Sequence, residues 1–155
     1  MLYLDSSVLA KRYSHEKGSR AVAVRFESGE RIFTSMLSFG EVHSSFARKF
    51  REEGLSVNQL YKIRENFMDD WLFSLNILDV DANTMTELPR LVEKYNLRAG
   101  DAIQLSTACW LRDKNRLRKR RNQPTEAVEF GVSDKQLAKV AQECGFRIFN
   151  PKGQN

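Results

Sequence analysis

Cysteine is scarce in this chain, with two among 155 residues. Cys109 and Cys144 each sit in a helix-like apolar pattern. A pair of lone thiols provides neither a disulfide framework nor a zinc knuckle, so both read as reduced packing residues. Histidine is equally rare, with His15 and His43 the two present. His15 falls in a polar stretch. His43 lies two residues beyond Glu41 in a helical pattern, roughly 200° around the helix from it at ~100° per residue. Neither histidine has a cysteine or histidine neighbour at ligand spacing. No apolar run approaches the ~18 residues that a membrane span needs. The opening Met1-Leu2-Tyr3-Leu4-Asp5 shows no basic segment ahead of an apolar one, so the expectation is a cytoplasmic protein with no membrane association. The chain also lacks an internal repeat, a P-loop, a GxGxxG fingerprint and any Ser-His-Asp or Cys-His arrangement.

What is present is ordinary globular material. Charged residues are 29% and hydrophobic ones 41%, and this length suits one domain spanning residues 1–155 with a sizeable core. The net charge of +5 is unevenly placed. Residues 112–121 hold seven bases (Arg112, Lys114, Arg116, Arg118, Lys119, Arg120, Arg121) and one acid, a local +6 that leaves −1 for the remainder. Followed by Asn122-Gln123-Pro124, this run reads as an exposed basic loop inserted at about 112–126. Such a cluster attracts phosphate backbones without reading sequence. The plain alternative is a solvated loop.

Strand-like and helix-like segments alternate along the chain. Strands are expected at 2–4, 31–35, 75–80, 127–132 and 146–149. Helices are expected at about 7–13, 18–28, 38–53, 57–73, 81–95, 100–111 and 134–144. Gly54 and Gly145 act as stops, and Pro89 forces a kink or break in its segment. The alternation predicts a three-layer α/β/α fold on a mostly parallel central sheet of four to five strands. In such sheets ligands bind beyond the carboxyl ends of the strands.

That rule singles out four of the twenty acids. Asp5 ends the first strand and Asp134 follows the fourth, so both emerge at one edge of the sheet. Glu41 and Asp101 lie in the first turns of their helices, embedded in Leu37-Ser38-Phe39-Gly40 and Ala99-Gly100. Singly, Asp134, Ser133 or Asp101 could be an N-cap or a dipole partner. Capping does not explain Asp5 and Glu41 as well. Four convergent carboxylates would repel unless protonated or bound to a cation, and oxygen-only ligands favour Mg²⁺ or Mn²⁺ over zinc.

An ordered set of motifs then resembles the PIN-domain family, and within it the toxin ribonucleases of VapBC toxin–antitoxin pairs. The set comprises Leu4-Asp5-Ser6-Ser7, Ser38-Phe39-Gly40-Glu41-Val42, Gly100-Asp101-Ala102-Ile103-Gln104-Leu105, Val132-Ser133-Asp134-Lys135-Gln136-Leu137 and the closing Gly145-Phe146-Arg147-Ile148-Phe149-Asn150-Pro151. The resemblance covers almost the whole chain. It implies that Asp5, Glu41 and Asp101 are the central catalytic, metal-binding acids, with Asp134 the fourth and more variable one. It places supporting hydroxyls at Ser6 and Ser133. One departure is the long stretch between Asp101 and Asp134, which holds the basic run.

The resemblance further implies hydrolysis of RNA phosphodiesters with Mg²⁺ or Mn²⁺, leaving 3′-hydroxyl and 5′-phosphate ends. It also implies a small antitoxin as partner and a homodimer, for which the 57–73 helix, with Leu60, Ile63, Phe67 and Trp71, is a candidate surface unless it is ordinary core. RNA would be positioned by Arg112–Arg121, with Lys11 and Arg12 as further candidates. The competing readings are a PIN-like RNA-processing nuclease outside toxin systems and a non-catalytic RNA-binding relative. A haloacid-dehalogenase-like phosphatase needs a second Asp where Ser7 stands. A receiver domain needs adjacent acids near the first strand and a phospho-acceptor Asp after a middle strand, which are missing here.

Overall fold

A computed structural model describes residues 1–121 and 123–153, with Lys119 by its backbone alone. Five strands, β1 (Leu2–Leu4), β2 (Ile32–Ser35), β3 (Leu75–Leu78), β4 (Glu129–Gly131) and β5 (Arg147–Phe149), form one all-parallel sheet in the order β3-β2-β1-β4-β5. The helices among the described residues are α1 (Ser6–Leu9, running into a 3₁₀ turn at Ala10–Tyr13), α2 (Ser19–Glu27), α3 (Leu37–Glu52), α4 (Val57–Phe73), α5 (Leu88–Tyr95), α6 (Ala99–Arg120) and α7 (Lys135–Glu143).

Strand β1 lies at the centre and is buried on both faces, as parallel sheets require. Its side chains alternate. Leu2 and Leu4 join a core with Val8, Val22, Ile32, Val42, Phe46 and Phe67. Tyr3 faces the opposite core, with Leu105, Cys109, Phe130, Leu137 and Phe146, and stacks on Phe130 at 5.5 Å between ring centroids. The chain adds β2 and β3 on one side of β1, then crosses to add β4 and β5 on the other. The order therefore reverses between β1 and β4, which opens a crevice at their carboxyl ends.

Two expected elements differ. The 81–95 segment is not one helix: α5 starts at Leu88 with Pro89 in its first turn, where a missing N–H costs nothing. Upstream, Asp81 closes a turn instead, its Oδ1 accepting from the Asn83 and Thr84 N–H groups at 2.9 Å each. The basic run is not a loop. Through Arg120 it is the second half of α6, because Arg, Lys and Leu are strong helix formers and Asp113 pairs with Arg112 and with Arg116 one turn on. The Lys119 side chain lies outside the described residues.

The 57–73 stripe is also resolved as core. Leu60 and Phe67 are buried, with Ile63 and Trp71 packed against them. The outward face of α4 shows Tyr61, Leu72 and Phe73 instead.

Candidate active site

Asp5 is where the buried run of β1 ends. Its carboxylate caps α1, accepting from the Ser7 N–H at 3.3 Å, from Ser7 Oγ at 2.5 Å and from Ser6 Oγ at 3.4 Å. Its own N–H donates to the Gly131 carbonyl at 3.0 Å, tying it to the end of β4. Gly131 makes this approach possible, since a Cβ there would come within 2.6 Å of Leu4 Cδ2.

Asp101 stands in the first turn of α6 and is partly buried. Asp134 is exposed and caps α7, its Oδ1 accepting from the Leu137 N–H at 2.8 Å. Asp5, Asp101 and Asp134 line one cavity of 530 Å³ together with Ser6, Ser7 and Arg98. This cavity sits at the crevice that the strand order predicts.

Glu41 does not line that cavity. A buried chain of hydrogen bonds holds it. Tyr3 OH donates to Gln104 Oε1 at 2.8 Å, and Gln104 Nε2 donates to Glu41 Oε2 at 2.8 Å and to Ser38 Oγ at 3.0 Å. Ser38 Oγ meets Thr34 Oγ1 at 2.7 Å, and Thr34 Oγ1 donates to the Leu4 carbonyl at 2.8 Å, one residue before Asp5. The other carboxylate oxygen faces Gly100, where a Cβ would come within 2.9 Å of Glu41 Oε1.

The acids act on one another. Burial pushes the Asp5 carboxyl up from 3.8 to about 6; the Ser7 hydroxyl opposes this, while the charges of Glu41 and Asp101 add to it. Asp101 is also raised, first by burial and then by the charges of Asp134 and Glu41, with Arg98 pulling the other way. Each acid is thus within electrostatic reach of at least one other.

Among the described residues, however, no three His, Cys, Asp or Glu side chains come close enough to cage an ion. The donor set still fits a hard cation. It offers oxygen only, and Mg²⁺ keeps several waters and needs just one or two direct carboxylates. Asp5 and Asp101, whose charge is costly without a counter-ion, would hold it directly. Glu41 and Asp134 would complete the negative field.

Ser6 Oγ touches Asp5 Oδ1 at 3.4 Å. Ser133 Oγ is buried without a hydrogen-bond partner among the described residues. Sequence reasoning missed Ser7, Gln104, Ser38 and Arg98. Gln104 and Ser38 each lie three positions from an acid on the same helix, a spacing that shares a face and could have revealed them. His43 packs edge-on among Phe39, Phe46 and Phe67.

The basic run lies away from the carboxylates. Helix α6 begins at the site with Asp101, and Arg118 is about 25 Å further along its axis at 1.5 Å per residue. The run ends near the amino-terminal edge of the sheet, where Asn115 bonds the Glu126 carbonyl and Glu126 pairs with the Met1 amino group.

A PIN domain family model matches residues 2–142. No curated protein sequence matches the chain. Among solved structures, the fold is similar to a toxin–antitoxin complex from Klebsiella pneumoniae (TM-score 0.59, 18% identity). It is also similar to FitAcB from Neisseria gonorrhoeae (0.62, 16%) and to VapBC2 from Rickettsia felis bound to a DNA fragment from their promoter (0.58, 15%). Each similarity covers 97% of this chain and 98% of the other.

Proposed function

We propose that this chain, which belongs to the PIN domain family, is a divalent-metal-dependent endoribonuclease and the toxin of a toxin–antitoxin pair. Members of the family are generally nucleases. The observation that carries the reading is the convergence of Asp5, Asp101 and Asp134 on one cavity at the switch point of the sheet, with Glu41 within electrostatic reach. A bound Mg²⁺ or Mn²⁺ supplies charge neutralisation at the phosphodiester and activation of the attacking water.

The chain's own residues do the rest. Ser7 and the α1 N-terminus fix the Asp5 carboxylate. Gln104 fixes that of Glu41, and such outer partners set ligand orientation. Arg98, at the mouth of the cavity, is the cation placed to meet a substrate phosphate. The test is cleavage of single-stranded RNA by purified protein. Activity is expected with Mg²⁺ or Mn²⁺, and its loss with EDTA and in Asp101→Asn. Full cleavage in metal-free protein would rule the mechanism out.

The toxin assignment draws support from the similar structures, each named for a toxin–antitoxin system or sharing that fold. The exposed apolar residues Tyr61, Leu72 and Phe73 offer surface for a partner or a second copy. Expression should arrest growth unless the product of a small adjacent reading frame is made with it. RNA cleavage without growth arrest would favour an RNA-processing role. The lack of a closed three-ligand cage among the described residues is what favours the other rival, a non-catalytic RNA-binding protein. RNA binding with no cleavage at any metal concentration would select it.

A further inference from the structure

We propose that the substrate strand leaves the carboxylate cavity through an adjoining lysine-lined cleft beside α7, and that this cleft, not the basic end of α6, holds the backbone nearest the site. The inference rests on the ribonuclease reading for the identity of the occupant.

The cleft measures 790 Å³ and shares Asp134 with the carboxylate cavity. Its basic residues are Lys17, Lys135, Lys139, Arg147 and Lys152. All five are exposed, and none makes an ion pair among the described residues. Lys135 and Lys139 are one turn apart on α7 and share a face. Of the two acids in the walls, Glu129 is already matched by Arg25 at 2.7 Å, and Asp134 belongs to the active site. The cleft is therefore a strongly positive channel that starts at the site, which suits a polyanion.

The nearer half of the rival surface is less available, and Arg118 lies about 25 Å from Asp101 along α6. In the basic half of α6, Arg112 stacks on Phe146, pairs with Asp113 and bonds the Cys144 carbonyl. Arg116 also pairs with Asp113, and Lys114 lies over Trp110. Electrostatic grooves that track a backbone in this way bind single strands with little sequence preference.

The test uses full-length protein carrying Asp101→Asn, so that RNA survives, and a labelled single-stranded RNA of about 12 nucleotides. The cleft variant adds Lys135→Ser, Lys139→Ser and Lys152→Ser. A control removes the same charge elsewhere through Arg48→Ser, Arg51→Ser and Lys62→Ser, all exposed on α3 and α4. The cleft variant should bind at least tenfold more weakly, and its slope of log K against log salt should fall by roughly 2, at 0.7 per lost phosphate contact. The control should change neither by more than about twofold, because screened distant charges contribute little.

In parallel, the three cleft substitutions are placed in the cleaving protein, where KM for RNA should rise far more than kcat falls. Cleavage with unchanged KM and salt slope overturns the cleft and leaves the nuclease reading standing. Lysine-dependent binding with no cleavage by the wild type does the reverse. No RNA binding by either protein, or lysine-dependent binding of polyglutamate in its place, overturns the cleft.

Discussion

Gln104 donates from Nε2 to Glu41 Oε2 across 2.8 Å while its own Oε1 accepts from the buried Tyr3 hydroxyl. The amide is thus fixed in one orientation, with its donor end towards the carboxylate. Gln104 is a positioning residue for Glu41. Replacing it by Met keeps the volume but strands the Tyr3 hydroxyl and the carboxylate, at a cost of about 1–3 kcal/mol for each buried polar group left unpaired. Metal affinity or activity should fall about 10–100-fold, as when other outer partners of metal ligands are lost. Melting curves separate the two effects. The variant should regain cleavage at raised Mn²⁺, and failure to do so in a folded protein would make Gln104 merely structural.

The second prediction concerns pH. The Asp5 carboxyl is raised from 3.8 to about 6 by burial and by its acidic neighbours. The folded protein therefore binds this proton more tightly than the unfolded chain. The associated stability is fully present below the unfolded value and is lost as pH rises through about 6. The difference corresponds to about 3 kcal/mol at 1.36 kcal/mol per pKa unit. Asp5→Asn, which can still accept from Ser7, should match wild-type Tm at low pH and exceed it at neutral pH without metal. Millimolar Mg²⁺ or Mn²⁺ should raise the wild-type Tm, since binding to the folded state stabilises it. Parallel melting temperatures for the two proteins across the whole pH range would contradict the burial of a charged Asp5.

A third prediction separates stability from activity at Gly100. An added Cβ would meet Glu41 Oε1 at 2.9 Å, the mobile end of a side chain that can move aside. In a helix, Gly→Ala gains up to about 1 kcal/mol. Gly100→Ala should therefore fold as well as the wild type or better. Its cleavage should fall roughly tenfold or more, because small misplacements at a reacting centre are costly. An unchanged kcat would show that the placement of Glu41 does not matter.

The path from sequence to fold was short where burial set the pattern. The alternation of Leu2, Tyr3 and Leu4 between two cores, the helix at Val57–Phe73 and the cap at Asp134 follow from apolar spacing and cap chemistry, whereas the cap that Asp5 provides does not. What local reading missed is tertiary. Gln104 reads as an ordinary helix residue until the fold sets it against Tyr3 and Glu41. The lysines of the α7 cleft come from separate parts of the chain, so no local charge count finds them. The run at 112–121 shows the opposite error. Its charge density and the turn residues after it suggest a loop, while the helix propensity of Arg, Lys and Leu decides where it goes.

That placement yields the last prediction. Arg118 lies about 25 Å from Asp101 along α6, and stacked nucleotides advance about 3.4 Å each along a strand. A strand seated at the carboxylates must therefore extend by roughly seven nucleotides before it can meet the end of the helix. Replacing Arg118, Arg120 and Arg121 with Ser should leave KM for a very short RNA little changed. For a long RNA the same variant should show a raised KM and a flatter salt dependence, since distal phosphates would lose their contacts. The measurement is KM on two RNAs that share a cleavage site but differ in length, at two salt concentrations. Equal loss on both RNAs would place the helix end beside the reacting phosphate, which the length of α6 forbids in this fold. No loss on either would leave these arginines outside the substrate path altogether.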